Sequence, residues 1–83
     1  MYQLHIQDRA VKSFKKISEP YKTLIKRKME LLKNLNNNMP NIKTLQGEYK
    51  GLCRLRVGDY RVVFDVKEKE IIIVDIFARG KGY

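Results

Sequence analysis

The chain has 83 residues, 18 Lys and Arg against 9 Asp and Glu, a net charge of +9 and a pI near 9.9. That length supports one domain with a single small two-layer core and leaves no room for a separate catalytic domain. The charge favours an anionic partner: nucleic acid, an anionic membrane surface or an acidic protein.

No apolar run reaches the roughly 20 residues needed to span a bilayer, and Met1 to His5 lacks a signal-peptide pattern, so a cytoplasmic chain is expected. The single cysteine, Cys53, excludes an internal disulfide and suits a reducing compartment. One Cys and one His make a poor zinc ligand set, and no cofactor is called for.

From the N-terminus, Tyr2, Leu4 and Ile6 alternate with Gln3 and His5, which predicts a short half-buried strand with His5 at the surface. Asp8 is the expected N-cap of a helix over about Arg9 to Ile17, with Ala10, Val11, Phe14 and Ile17 inward and Arg9, Lys12, Lys15 and Lys16 outward. Ser18-Glu19-Pro20 reads as a stop and a new start, with Ser as cap and Pro in the first turn. The second helix is expected to reach about Asn36 on an apolar stripe of Tyr21, Leu24, Ile25, Met29, Leu32 and Leu35. Its other faces carry Lys22, Lys26, Arg27 and Lys33, most simply a solvated surface, with nucleic-acid contact as the second reading.

Asn36 to Gly51 carries Asn, Pro and Gly at turn-forming density and is expected to be one long irregular connection. Such length is uncommon in compact domains and makes this segment a candidate functional loop. Lys43, Tyr49 and Lys50 lie in it within reach of a ligand, although solvated side chains are the simpler reading.

Two strands follow around Gly58-Asp59. If these two residues form the hairpin loop, Val57 pairs with Tyr60, Arg56 stands opposite Arg61, and Arg54 lies on the diagonal of the same face. Like charges directly opposite one another cost a few tenths to about 1 kcal/mol per pair, so folding alone does not select this crowding. An anion is the natural missing partner.

The last strand, Ile71 to Arg79, follows the charged turn Lys67-Glu68-Lys69. A three-residue loop there pairs Val66 with Glu70 and Arg61 with Asp75, bringing Asp75 and Arg79 onto the arginine face, where Asp65 and Asp75 offset part of its charge. The alternative four-residue loop buries Asp75 among Phe64 and Val62, and is rejected because an unpaired buried carboxylate is costly. Phe77 shares the parity of Arg79, either as an exposed aromatic that stacks on a base or packed under the tail. Cys53 falls on the core face as an inert thiol.

The expected fold is therefore α+β: a helical hairpin on one face of a small antiparallel sheet, in the order β-α-α-β-β-β, as one domain over residues 1–83. Tyr2, Leu4, Ile6, Cys53, Leu55, Val57, Tyr60, Val62, Phe64, Ile72, Val74 and Ile76 are the predicted core. The arginine face stays open.

Nearly the whole chain resembles the RelE/ParE toxin superfamily. The resemblance rests on the first strand with Asp8 to Ile17, the Leu45-Gln46-Gly47 link, the run from Arg54 to Phe64, and the ending Ala78-Arg79-Gly80-Lys81-Gly82-Tyr83. It implies a toxin of a type II toxin–antitoxin system that enters the ribosomal A site and cuts mRNA there, among ribosomal RNA, and that an acidic antitoxin holds inactive. Arg61, Arg79 and Tyr83 then match the family's catalytic positions. Arg54 and Arg56 match its basic residues on the preceding strand, and Lys50, Phe77 and Lys81 extend the substrate contact.

The implied chemistry is metal-independent attack of a ribose 2′-hydroxyl on the adjacent phosphate, with arginines binding the phosphate and Tyr83 transferring a proton. A phenol titrates near 10, so surrounding positive charge must favour the phenolate for it to act as base. Many members carry His where this chain has Ala78. ParE-like relatives share the fold but act on DNA gyrase, and a non-catalytic module that only binds an antitoxin is the third alternative.

Overall fold

A computed structural model describes residues 1–36, 39–47 and 50–80. The chain order is β1 (Gln3–Ile6), α1 (Asp8–Lys15), α2 (Tyr21–Leu31) continued by a 3-10 turn (Leu32–Asn34), β2 (Ile42–Thr44), β3 (Cys53–Val57), β4 (Tyr60–Lys67) and β5 (Glu70–Ala78). The strands form one mixed sheet in the order β1-β5-β4-β3-β2. Both helices pack on one face, so the two-layer α+β class holds with one strand more than expected.

That extra strand corrects the reading of residues 36–51 as wholly irregular. Ile42, Lys43 and Thr44 pair antiparallel with Leu55, Arg54 and Cys53, and the Leu45 N–H donates to the Leu52 carbonyl at 2.8 Å. A three-residue strand has too little pattern of its own to be seen; pairing with β3 makes it one. β1 in turn lies parallel to β5, Gln3 against Glu70 through Ile6 against Ile73. The chain then leaves the sheet, and α1 runs beside the second half of β5.

The helices start and end differently from expectation. Gln7 is the N-cap of α1 and makes no side-chain cap bond, while Asp8 sits in the first turn, where its charge complements the helix dipole. For α2 the capping group is Glu19, not Ser18: its carboxylate accepts from the Thr23 N–H at 2.9 Å and from Thr23 Oγ1 at 2.7 Å. These bonds, the side-chain one foremost, hold the Glu19 pKa below its ordinary value. Regular α-helix stops at Leu31, short of Asn36. Tyr21, assigned to the apolar stripe, is 44% exposed and lies 5.6 Å from the Tyr60 ring, centroid to centroid.

The core joins Ala10 of α1, Ile25 and Met29 of α2 and Leu32 to Leu55, Val57, Val62, Phe64, Ile71, Ile73 and Ile76 of the sheet. The β3–β4 register is the expected one, with Val57 opposite Tyr60 and Arg56 opposite Arg61. The β4–β5 register is not. A two-residue turn, Glu68-Lys69, pairs Lys67 with Glu70, and this register runs as far as Phe64 against Ile73. A bulge then shifts it, so that Val63 faces Asp75, Val62 faces Ile76 and Arg61 faces Phe77. Two expectations fall: the two-residue turn brings Ile71 and Ile73, rather than Ile72 and Val74, into the core, and the bulge sets Asp75 opposite Val63 rather than Arg61.

Asp75 is also buried, at 6% exposure, against the expectation that burial of this carboxylate costs too much. The cost is met because the carboxylate is not alone: it accepts from the Ile76 N–H at 2.9 Å and Ser13 Oγ at 3.4 Å, and pairs with Arg9 at 3.2 Å. No helix among the described residues is long and apolar enough to cross a membrane.

Candidate phosphate-binding cleft

The sheet face turned away from the helices is built by β3, β4 and the second half of β5. Alternation puts Arg54 and Arg56 of β3 on it, with Arg61 and Val63 of β4 and Phe77 of β5. Val63 is fully buried yet stands apart from the helix-side core, so this face has an apolar floor between its strand partners Arg54 and Asp75.

Arg54, Arg61, Phe77, Arg79 and Gly80 line a cleft of about 330 Å³ on this side. Four predicted site residues thus come together, and Gly80 joins them. The hairpin tip holds two of the arginines. Gly58, with φ +57, turns the chain in the left-handed region that glycine adopts without strain. Its carbonyl accepts from Arg61 Nη1 at 3.1 Å, and the Tyr60 carbonyl accepts from the same nitrogen at 3.0 Å. The next carbonyl, of Asp59, accepts the backbone N–H of Arg79. One turn therefore orients the Arg61 side chain and the Arg79 backbone together, which the pattern of side chains could not reveal because the anchoring groups are carbonyls.

Arg61 is only 9% exposed. Its two bonds both use Nη1, and a guanidinium has five N–H donors, so its Nε and Nη2 donors are left to meet an oxyanion in the forked geometry arginine offers. Arg54 makes one long bond, Nη1 to the Asn41 carbonyl at 3.4 Å. Among the described residues neither Arg54, Arg61 nor Arg79 is in an ion pair, so three permanent positive charges share the cleft without a counterion from those residues. The Asp75 carboxylate, expected to offset them, is engaged by Arg9 and Ser13 on the α1 side.

The other predicted residues fall outside the cleft or outside the described residues. Arg56 is exposed and does not line it; Lys50 and Lys43 are exposed in and before the loop that leads to β3. Tyr49, Lys81 and Tyr83 lie outside the described residues. Ala78 pairs with Tyr60, one step out of phase with Phe77, so its side chain belongs to the helix-side parity. Cys53 is half-buried, and burial raises its thiol pKa against the opposing effect of a Thr44 hydrogen bond. His5 is exposed on β1, away from the cleft.

Known proteins agree with this architecture. The RelE–RelB complex of Pyrococcus horikoshii aligns with a TM-score of 0.76 at 25% identity, covering 98% of each chain. The antitoxin–toxin complex RelB–RelE of Methanococcus jannaschii aligns with a TM-score of 0.74 at 26% identity, over 89% of this chain and 88% of that one. The isolated RelE toxin of E. coli, 20% identical, shares the fold with a TM-score of 0.76 over 99% of this chain and 88% of that one. No curated protein sequence matches the chain. The model of the ParE toxin of type II toxin–antitoxin systems (parDE) matches residues 4–83, and with that match spanning nearly the whole chain, the protein belongs to the RelE/ParE toxin superfamily, as the toxin of a type II toxin–antitoxin system.

Proposed function

We propose that this toxin is a ribosome-dependent endoribonuclease that binds the scissile phosphate of mRNA in the arginine cleft. The observation that carries the reading is the meeting of Arg54, Arg61 and Arg79 with Phe77 in one cleft, without a counterion among the described residues. Guanidinium forks match phosphate oxygens, and a half-buried aromatic beside them suits a stacked base.

The reaction needs three things from the protein. Arg61 and Arg79 bind the non-bridging oxygens and stabilise the charge that develops as the 2′-oxygen bonds to phosphorus. Arg54 and Arg56 position the strand, and Lys50 and Lys81 neutralise flanking phosphates. The 2′-hydroxyl gives up its proton and the departing 5′-oxygen takes one, leaving a 2′,3′-cyclic phosphate and a 5′-hydroxyl. Proton transfer is assigned to Tyr83, the remaining titratable residue that the resemblance brings to the site. A cognate antitoxin, acidic to match the net charge of +9, is the expected inhibitor, and the cytoplasm the expected location.

The test is primer-extension mapping of translated mRNA in a cell-free system with wild type, Arg61→Ala, Arg79→Ala and Tyr83→Phe. Cleavage within codons by the wild type, lost in both arginine variants, is the expected result; cleavage unaffected by both sinks the assignment. The ParE family match favours a second reading, inhibition of DNA gyrase. Intact mRNA together with loss of gyrase supercoiling in the presence of the toxin would establish it instead.

A further inference from the structure

The cleft exists because β5 changes register halfway along, and Asp75 sits at the change. Up to Phe64 against Ile73 the strands follow the Glu68-Lys69 turn. Continued without interruption, that register would set Arg61 against Ile76, Tyr60 against Phe77 and Val62 against Asp75. Phe77 would then face the helices, and the carboxylate would lie among core residues. Val74 is the extra residue that prevents this, and beyond it Arg61 meets Phe77.

A bulge needs a partner for the backbone groups it displaces. Here the Asp75 carboxylate folds back onto the N–H of Ile76 at 2.9 Å, two residues after the extra Val74. The same carboxylate is anchored from outside the sheet by Ser13 and Arg9 of α1, at 3.4 and 3.2 Å. Arg9 is itself largely exposed, with a side-chain exposure of 70%, so it gives up little of its hydration to hold Asp75.

We infer that Asp75 is the positioning residue of the cleft: clamped by Arg9 and Ser13, it pins the β5 bulge and thereby sets Phe77 and Arg79 against Arg61. Its role as part of a functional site rests on the phosphate-binding reading; its role in the register does not. The carboxylate touches no substrate. It acts through the backbone of β5, and it ties α1 to the geometry of the cleft.

The experiment compares wild type, Asp75→Asn and Asp75→Leu by cross-strand backbone NOEs between β4 and β5. In parallel it measures affinity for a single-stranded RNA hexanucleotide bearing 2′-O-methyl groups, which 2′-hydroxyl attack cannot cleave. Asn keeps an oxygen for the Ile76 N–H and loses only the ion pair; Leu keeps the γ-branched shape and removes every side-chain hydrogen bond. The expected result is an Arg61–Phe77 pairing retained in Asp75→Asn with affinity within about threefold of wild type. In Asp75→Leu that pairing is lost, the Phe64–Ile73 pairing upstream persists, and affinity falls at least tenfold.

An unchanged Arg61–Phe77 pairing in Asp75→Leu overturns the inference. Should Asp75→Leu fail to fold, the Arg9→Gln/Ser13→Ala double variant takes its place, with weakened Arg61–Phe77 NOEs expected and unaltered ones overturning the inference. Failure of the wild type to bind the RNA, with the register shift present, removes the phosphate reading and leaves the register role of Asp75 standing.

Discussion

Arg56 and Arg61 stand directly opposite each other across β3 and β4, yet Arg56 is exposed and Arg61 is buried at 9% exposure with two backbone carbonyls on its Nη1. Equal charges in one cross-strand pair thus have unequal roles. Replacing Arg61 by Ala leaves the Gly58 and Tyr60 carbonyls without their donor and strips its buried stem from the sheet, for an expected loss of about 1–3 kcal/mol. Arg56→Ala removes a like charge and is expected to be neutral or to stabilise by a few tenths of a kcal/mol. Urea unfolding followed by circular dichroism separates the two.

If Arg61 and Arg79 hold the scissile phosphate while Lys50 and Lys81 each neutralise a flanking one, binding of single-stranded RNA carries a defined salt dependence. Each neutralised phosphate on a single strand contributes about −0.7 to the slope of log K against log salt, so three give about −2. Lys50→Ala, which gives up one flanking phosphate, is expected to reduce the slope to about −1.4. A slope near zero in the wild type, measured by fluorescence anisotropy between low and moderate salt, contradicts phosphate contact.

Phe77 lines the cleft while Phe64 is fully buried in the helix-side core, so the two alanine variants part company. Phe64→Ala is expected to cost about 3–5 kcal/mol, much of the total stability of a domain this size. Phe77→Ala is expected to keep the fold and lose about 1–3 kcal/mol of RNA binding through the missing stack. Thermal melts alongside the anisotropy assay check both.

Glu19 supplies a pH-dependent cap. Its bonds to Thr23 lower its pKa below the ordinary 4.5, so its stabilisation is present above that value and is lost as pH falls through the folded-state pKa. Wild type is expected to melt higher than Glu19→Gln at neutral pH, with the gap closing under acid conditions below about 4.5. A gap that stays constant on acidification rules out the charged cap.

Cys53 is held in its thiol form by burial, with the Asp65 charge adding to the effect. Alkylation by iodoacetamide at mildly alkaline pH is expected to be severalfold slower in the folded protein than in denaturant. Equal rates, followed by mass spectrometry, would show the thiol to be accessible and ordinary.

The arginine hairpin was legible residue by residue. A two-residue loop leaves one register for the strands beside it, so Gly58-Asp59 alone places Arg56 against Arg61, and alternation places Arg54. The helical hairpin was legible for a similar reason: the 3.6-residue spacing of Ala10, Ile25, Met29 and Leu32 marks the faces that became core. Helix ends were less so, because Glu19 caps α2 from a position that propensity assigns to no cap.

What the chain determined by itself, then, is local: two amphipathic helices, a basic hairpin with its register, and an overall charge that calls for an anionic partner. Tertiary structure decided the rest. β2 exists through its pairing with β3, and β1 lies parallel to β5 through contacts that no local pattern encodes. The register of β5 could not be counted from its turn, because a parity argument fails at the first extra residue. Where that residue falls depends on the Asp75 carboxylate meeting Ser13, 62 positions away in sequence, and Arg9 one helical turn earlier. Whether Phe77 faces an arginine or the core was settled there, by the cost of burying a carboxylate and the groups that α1 offers to satisfy it.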